Sequence, residues 1–227
     1  MPRATDVTLR VVDDPKNRAC VLVHVPATAA SGEGRRQLRI FRRDAESLEL
    51  VTGMDANAAH LRQLVHLSQV ADACLLCIRW INRRALSVAE ARARLSAREF
   101  TAEVILAAIE RLEQAGYLSD ATLAGALAAE LSQRGPVGPA RLEAKLGGRG
   151  IGEEVQATVV SDSATNVRSA AGRAQWEQEA ASRLKRMGGE RTARNARRLL
   201  GYFARQGLEE EAAREIVARL IPLETQE

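Results

Sequence analysis

Aromatic side chains make up only 3% of this 227-residue chain, as two Trp, two Tyr and three Phe. That scarcity excludes a core built on stacked rings and predicts one assembled from Leu, Val, Ile and Ala. Cysteine is equally sparse: Cys20, Cys74 and Cys77 are too few for a disulfide framework and suit a reducing cytoplasm. Lysine is scarce too, with Lys16, Lys145 and Lys185 set against thirty arginines. No apolar run approaches the ~20 residues of a membrane span. Arg3, Asp6, Arg10 and the Asp13–Asp14 pair interrupt the start, where a secretory leader needs an apolar stretch. The reading is a soluble cytoplasmic protein with no membrane contact.

Catalytic signatures are missing as well. There is no GxxxxGK[ST], no GxSxG and no His-Glu-x-x-His. Gly147–Gly148–Arg149–Gly150 lacks the preceding strand that a phosphate loop needs, and Glu153–Glu154 sits where a helix starts. Cys74-x-x-Cys77, with His60 and His66 upstream, has the spacing of half a metal site. Set in the apolar helical run ADACLLCIRWI, the pair reads instead as small buried hydrophobes. We therefore expect no catalytic residue, no metal, no cofactor and no enzyme.

What is present is a helical unit between Leu86 and Leu118. Ser87-x-x-Glu90 is a capping box that starts a short helix with Ala91 and Leu95 inward. Phe100 precedes a second cap, Thr101, and Val104, Ala108, Ile109 and Leu112 recur at helical spacing until Gly116. The same pattern recurs when Ile151 and Leu208 are placed beneath Phe100, 51 and then 57 residues on. Nine and five residues before each anchor stand Ala91 and Leu95, Leu142 and Leu146, and Leu199 and Phe203. Acidic residues follow each anchor, where the helix dipole favours them. Such spacing belongs to helical-repeat arrays, whose thin units lean on one another.

Each repeat needs a further helix at its start: about Val70 to Arg84, then Asp120 to Gln133 with Leu123, Leu127 and Leu131, then Arg173 to Met187 with Trp176, Ala180 and Leu184. The predicted organisation is an N-terminal strand region (residues 1–54), a connecting helix capped by Asp55 (55–70), repeats at 71–118 and 119–160, a polar linker (161–172) and a third repeat at 173–222. In the first region Val7, Leu9 and Val11 form a strand, the turn at residues 13–17 leads into Ala19–Val25, and Gln37–Arg43 adds a third strand after a loop at Thr28–Gly34. The fold class expected is mostly α, three-helix repeats in an elongated curved array with a small N-terminal sheet.

Net charge is only +4, but residues 183–205 hold eight bases and one acid, Glu190. Leu86-Ser87-x-x-Glu90, Leu95, Phe100, Ile109, Leu112, Gly116-Tyr117-Leu118-x-Asp120, the Gly135 and Gly138 break, Leu142, Leu146 and Gly150-Ile151 together resemble the RecX family, regulators of the RecA recombinase. The chain departs from the family in Ser119–Asp120, where paired aspartates are usual. The resemblance implies a monomeric binding protein that lodges on the RecA–DNA filament, restrains its ATPase and strand exchange, and contacts single- or double-stranded DNA. Repeat-equivalent bases, Arg94 with Lys145, Arg98 with Arg149 and Arg141 with Arg198, extended by Arg92, Arg191, Arg194 and Arg197, are the candidates for partner or DNA contact. The rival expectation is a direct DNA-binding regulator in which Arg191–Arg205 acts as a recognition helix.

Overall fold

Valine-rich alternation builds the sheet. In the computed structural model, which describes residues 7–26 and 36–222, β2 (Arg10–Asp13), β3 (Cys20–Val25) and β4 (Arg36–Phe41) form an antiparallel sheet in that order. Val21 lies opposite Ile40 and Val23 opposite Leu38. These four side chains and Leu9 are buried. The loop read at Thr28–Gly34 falls outside the described residues.

Three local expectations fail here, each for a physical reason. The first strand is two: β1 (Val7–Thr8) pairs with β5 (Asp55–Ala56), and Leu9 bonds to Met54 and Gly53 between them. Asp55 is thus a strand residue that accepts the Thr8 hydroxyl at 2.7 Å, and the cap is Asn57, whose Oδ1 accepts from the Ala59 and His60 amides. The third strand stops at Phe41 and turns into α1 (Arg42–Ser47), because Arg42 is held by Asp13 while Ala45 is the next residue buried.

The connecting helix and the first helix of repeat one are a single helix, α2 (Ala58–Ile81). Ser68, at the expected boundary, is buried; its Oγ accepts from the Arg39 amide of β4 at 3.1 Å, so the polar residue docks the helix on the sheet instead of ending it. Contrary to the expectation of no long apolar run, α2 has 24 residues, and its most apolar stretch has a mean hydropathy of 1.4, enough to cross a membrane by length and composition. It packs between β4 and α4 (Ala102–Gln114), with Leu64, Val70, Ala71, Cys74 and Cys77 buried, and so occupies the place of a core helix.

The remaining helices follow as α3 (Val88–Ser96), α5 (Asp120–Gln133), α6 (Pro139–Gly147), α7 (Glu153–Arg168), α8 (Ala170–Arg186), α9 (Ala193–Gln206) and α10 (Glu210–Leu220). The fold is mostly helical with a small N-terminal sheet. The described residues divide into two compact units, one running to Leu86 and resuming at Ala91–Leu118, the other holding Ser87–Glu90 and everything from Ser119. In the second unit Trp176 and Phe203 meet edge to face at 5.5 Å within one buried cluster, and Leu123, Leu127, Leu142, Leu146 and Ile151 form another.

The linker expected at 161–172 is helical. Val155, Val159, Ser163 and Val167 stand four apart, so the helical stripe continues through one serine, and Ser163 Oγ donates to the Val137 carbonyl at 3.5 Å. Ser169 alone separates α7 from α8, and its Oγ accepts from the Gly172 amide.

Candidate partner-binding arginines

The capping box at Ser87 is formed both ways: Ser87 Oγ accepts from the Glu90 amide at 3.0 Å, and Glu90 Oε2 accepts from the Ser87 amide at 3.1 Å. Neither side chain stops there. Ser87 Oγ donates to the Arg149 carbonyl at 2.6 Å, and Glu90 receives Arg149 Nε and Nη2 at 2.8 and 2.9 Å. Arg149 is only 15% exposed. This arginine, counted among the partner-binding candidates, is committed to an internal fork-to-fork ion pair.

One repeat later the arrangement recurs. Glu90 and Arg141 both stand ten residues before their anchor, Arg149 and Gln206 two before theirs. Arg141 Nη1 donates to Gln206 Oε1, and the Gly138 amide, equivalent in position to Ser87, donates to the Gln206 carbonyl at 2.9 Å. In each case the first turn of a repeat's second helix grips the turn before the next anchor. Arg141 is therefore also a junction residue.

That turn is left-handed three times, with φ 63° at Glu99, 65° at Gly150 and 77° at Gly207. Glycine stands where the gripping helix comes close. A Cβ on Gly207 would lie 2.1 Å from the Arg141 amide nitrogen, and one on Gly150 would lie 2.9 Å from Ala89 Cβ.

The other candidates divide between two places. In the first unit Arg92, Arg94 and Arg98 are exposed on or just beyond α3, with the Arg94 guanidinium 5.7 Å from the Trp80 ring centroid. In the second, Lys145 is exposed on α6, and Arg191, Arg194, Arg197 and Arg198 are exposed on or before α9. Arg194, Arg197 and Arg198 share one face of α9 with Gly201 and Arg205, at spacings of three, four, seven and eleven residues. A groove of about 340 Å³ runs here, lined by Arg183, Arg197, Arg198, Gly201, Tyr202 and Arg205, with the partly buried Met187 and the buried Leu199. Arg183 lies over the Tyr202 ring at 3.4 Å and is paired with Glu179. Glu179 also accepts from the Tyr202 hydroxyl, whose pKa is raised by burial and by that carboxylate. Arg194, Arg197, Arg198 and Arg205 have no carboxylate partner among the described residues. Arg205, placed by the sequence only in the rival recognition helix and outside the partner-contact set, joins this face by its spacing from Arg194 and Arg198.

Burial pushes the Cys74 thiol up to about 12 and the Cys77 thiol up to about 11. Cys74 Sγ lies 3.6 Å from the Ala108 carbonyl. His60 and His66 do not join them, and no group of three potential metal ligands occurs among the described residues.

No family model matches the chain. The regulatory protein RecX of Mycobacterium avium is 31% identical over 153 residues, which cover 66% of this chain and 85% of that protein. The regulatory protein RecX of Trichlorobacter lovleyi is 33% identical over 96 residues, 42% of this chain and 62% of that protein. A crystal structure of a regulatory protein RecX superposes with a TM-score of 0.69 over 92% of this chain and 98% of the other, at 12% identity. That of RecX from Lactobacillus salivarius gives 0.58 over 68% and 98%, also at 12% identity. At that identity the structural likeness speaks for the fold alone.

Proposed function

This chain belongs to the RecX family of regulatory proteins, and from that membership we propose that it binds the RecA–DNA filament and restrains its ATPase and strand exchange. It acts by binding, as a cytoplasmic monomer, without catalytic chemistry or cofactor. The observation that carries the reading is the match over most of a relative named as a regulator. The physical support is a set of exposed bases, Arg92, Arg94, Arg98, Lys145, Arg191, Arg194, Arg197 and Arg198, suited to a filament that carries the phosphates of DNA.

Co-sedimentation with RecA filaments assembled on single-stranded DNA tests it. Saturable recovery in the pellet, lost when RecA is omitted at moderate salt, is the expected result; a protein that stays in the supernatant at saturating filament contradicts it.

The rival of a sequence-reading DNA regulator fits less well. Base-edge readout favours amides beside arginine, and the two amides of α9 are engaged: Asn195 Nδ2 donates to the Glu190 carbonyl at 2.9 Å, and Gln206 receives Arg141.

A further inference from the structure

The first two repeats each use the start of their second helix to grip the turn that follows, and the third repeat has the same helix start, which grips no such turn among the described residues. At the equivalent positions eleven, seven and three before the anchor, the first repeat has Ala89, Ala93 and Ala97, the second Ala140, Ala144 and Gly148, and the third Arg197, Gly201 and Arg205. Position fourteen before the anchor changes from Leu86 and Val137 to Arg194. A face that only had to stay solvated would carry charges of both signs. This face carries four guanidiniums without a paired carboxylate among the described residues.

A second copy of the chain is a poor occupant. The turn it would offer is Arg98–Glu99–Phe100. Arg98 would face Arg198, where the internal junctions set Glu90 against Arg149 and Arg141 against Gln206. Glu99 would bring a side chain where both internal junctions need glycine. An acidic protein surface is a poor occupant as well, because protein interfaces centre on apolar anchors. The large exposed apolar side chains among the described residues are Val51, Leu106 and Tyr117, none of them on α8 or α9, and Tyr202 lies buried under Arg183. The same lack of an exposed ring removes the stacking platform on which single-strand binders hold bases.

We propose, resting on the filament reading for its biological setting, that the Arg194–Arg197–Arg198–Arg205 face of α9 binds the phosphodiester backbone of nucleic acid without reading its sequence. The four guanidiniums spread along roughly 16 Å of helix and engage phosphates as a row of positive charge. Affinity then follows counterion release: about four phosphates give a slope near −3.6 in log–log salt dependence, roughly a hundredfold loss between about 50 and 200 mM salt.

The test is fluorescence anisotropy of a labelled duplex titrated with the full chain, without any recombinase, at several salt concentrations. Arg197→Gln with Arg198→Gln and Arg205→Gln should cut the slope to about −0.9 and weaken low-salt binding at least thirtyfold. The charge-matched control, Arg10→Gln with Arg43→Gln and Arg62→Gln, alters exposed arginines of the first unit and should leave the slope unchanged. Two duplexes of unrelated sequence should bind alike. Duplex binding unchanged in the α9 variant, equal losses in both variants, or wild-type preference for an acidic polypeptide over duplex each overturns the proposal. Because RecA is absent, failure here is separate from failure of the filament reading, which the co-sedimentation assay decides independently.

Discussion

Arg149 and Glu90, 59 residues apart in sequence, form a two-pronged ion pair that ties the turn before Ile151 to the first turn of α3. Glu90 does this while completing the Ser87 capping box, so one carboxylate serves a helix cap and a junction at once. Arg149→Ala should therefore lower stability by about 1.5–3 kcal/mol, the range for hydrogen bonds to charged groups. Urea melts of Arg149→Ala, Glu90→Ala and the double variant give the coupling, which should exceed about 1 kcal/mol. Additive losses would show that the pair is not a unit.

The left-handed turns provide a contrast within one molecule. Gly207→Ala places a methyl group against the backbone of Arg141 in a conformation that already disfavours side chains, and should cost more than about 2 kcal/mol. Glu99→Gly relieves the same backbone at a turn that no helix grips among the described residues, and should change stability by less than about 1 kcal/mol. Thermal melts compare the two directly; equal effects would contradict the junction geometry.

The buried thiols predict an alkaline weakness. Cys74 and Cys77 are raised from 9.0 to about 12 and about 11 by burial, so above pH 9 the unfolded chain releases protons that the folded chain keeps. Their contribution is present in full below pH 9 and is lost as pH rises through 11–12. The urea midpoint should fall across that window, and more gently in Cys74→Ala with Cys77→Ala when each is compared with its own value at pH 8. An identical slope would remove the thiols from the account.

Among the candidate bases, junction and surface residues should separate. Reversal of Arg94, Lys145 and Arg198 to Glu should abolish RecA-filament binding with an unchanged circular dichroism melt, whereas Arg149→Ala should shift the melt. A triple variant that still co-sediments would leave these arginines as solubilising surface.

Much of this is legible in the amino-acid sequence. Capping boxes, Gly stops and four-residue apolar spacings are local, so Ser87, Thr101, Gly116 and the stripes of Leu123 and Trp176 lie where their chemistry puts them. What was hidden depended on distant partners. Asp55 looks like a cap until Val7–Thr8 pairs with its strand, and Ser68 looks like a boundary until β4 supplies the Arg39 amide. Residues 161–172 look like a linker by composition, yet Val167 keeps the helical period and one serine finds a carbonyl. At the candidate site, repeat equivalence grouped Arg98 with Arg149 and Arg141 with Arg198. It showed which residues were equivalent and not which were paired, because only the fold brings Glu90 and Gln206 against them.

The most direct measurement is the single-strand-dependent ATPase of the RecA recombinase from the same organism, titrated with this protein at two salt concentrations. The account predicts inhibition at substoichiometric amounts, weakened by salt and by reversal of Arg94, Lys145 and Arg198. Full ATPase activity at equimolar protein, with the recombinase active, would contradict it.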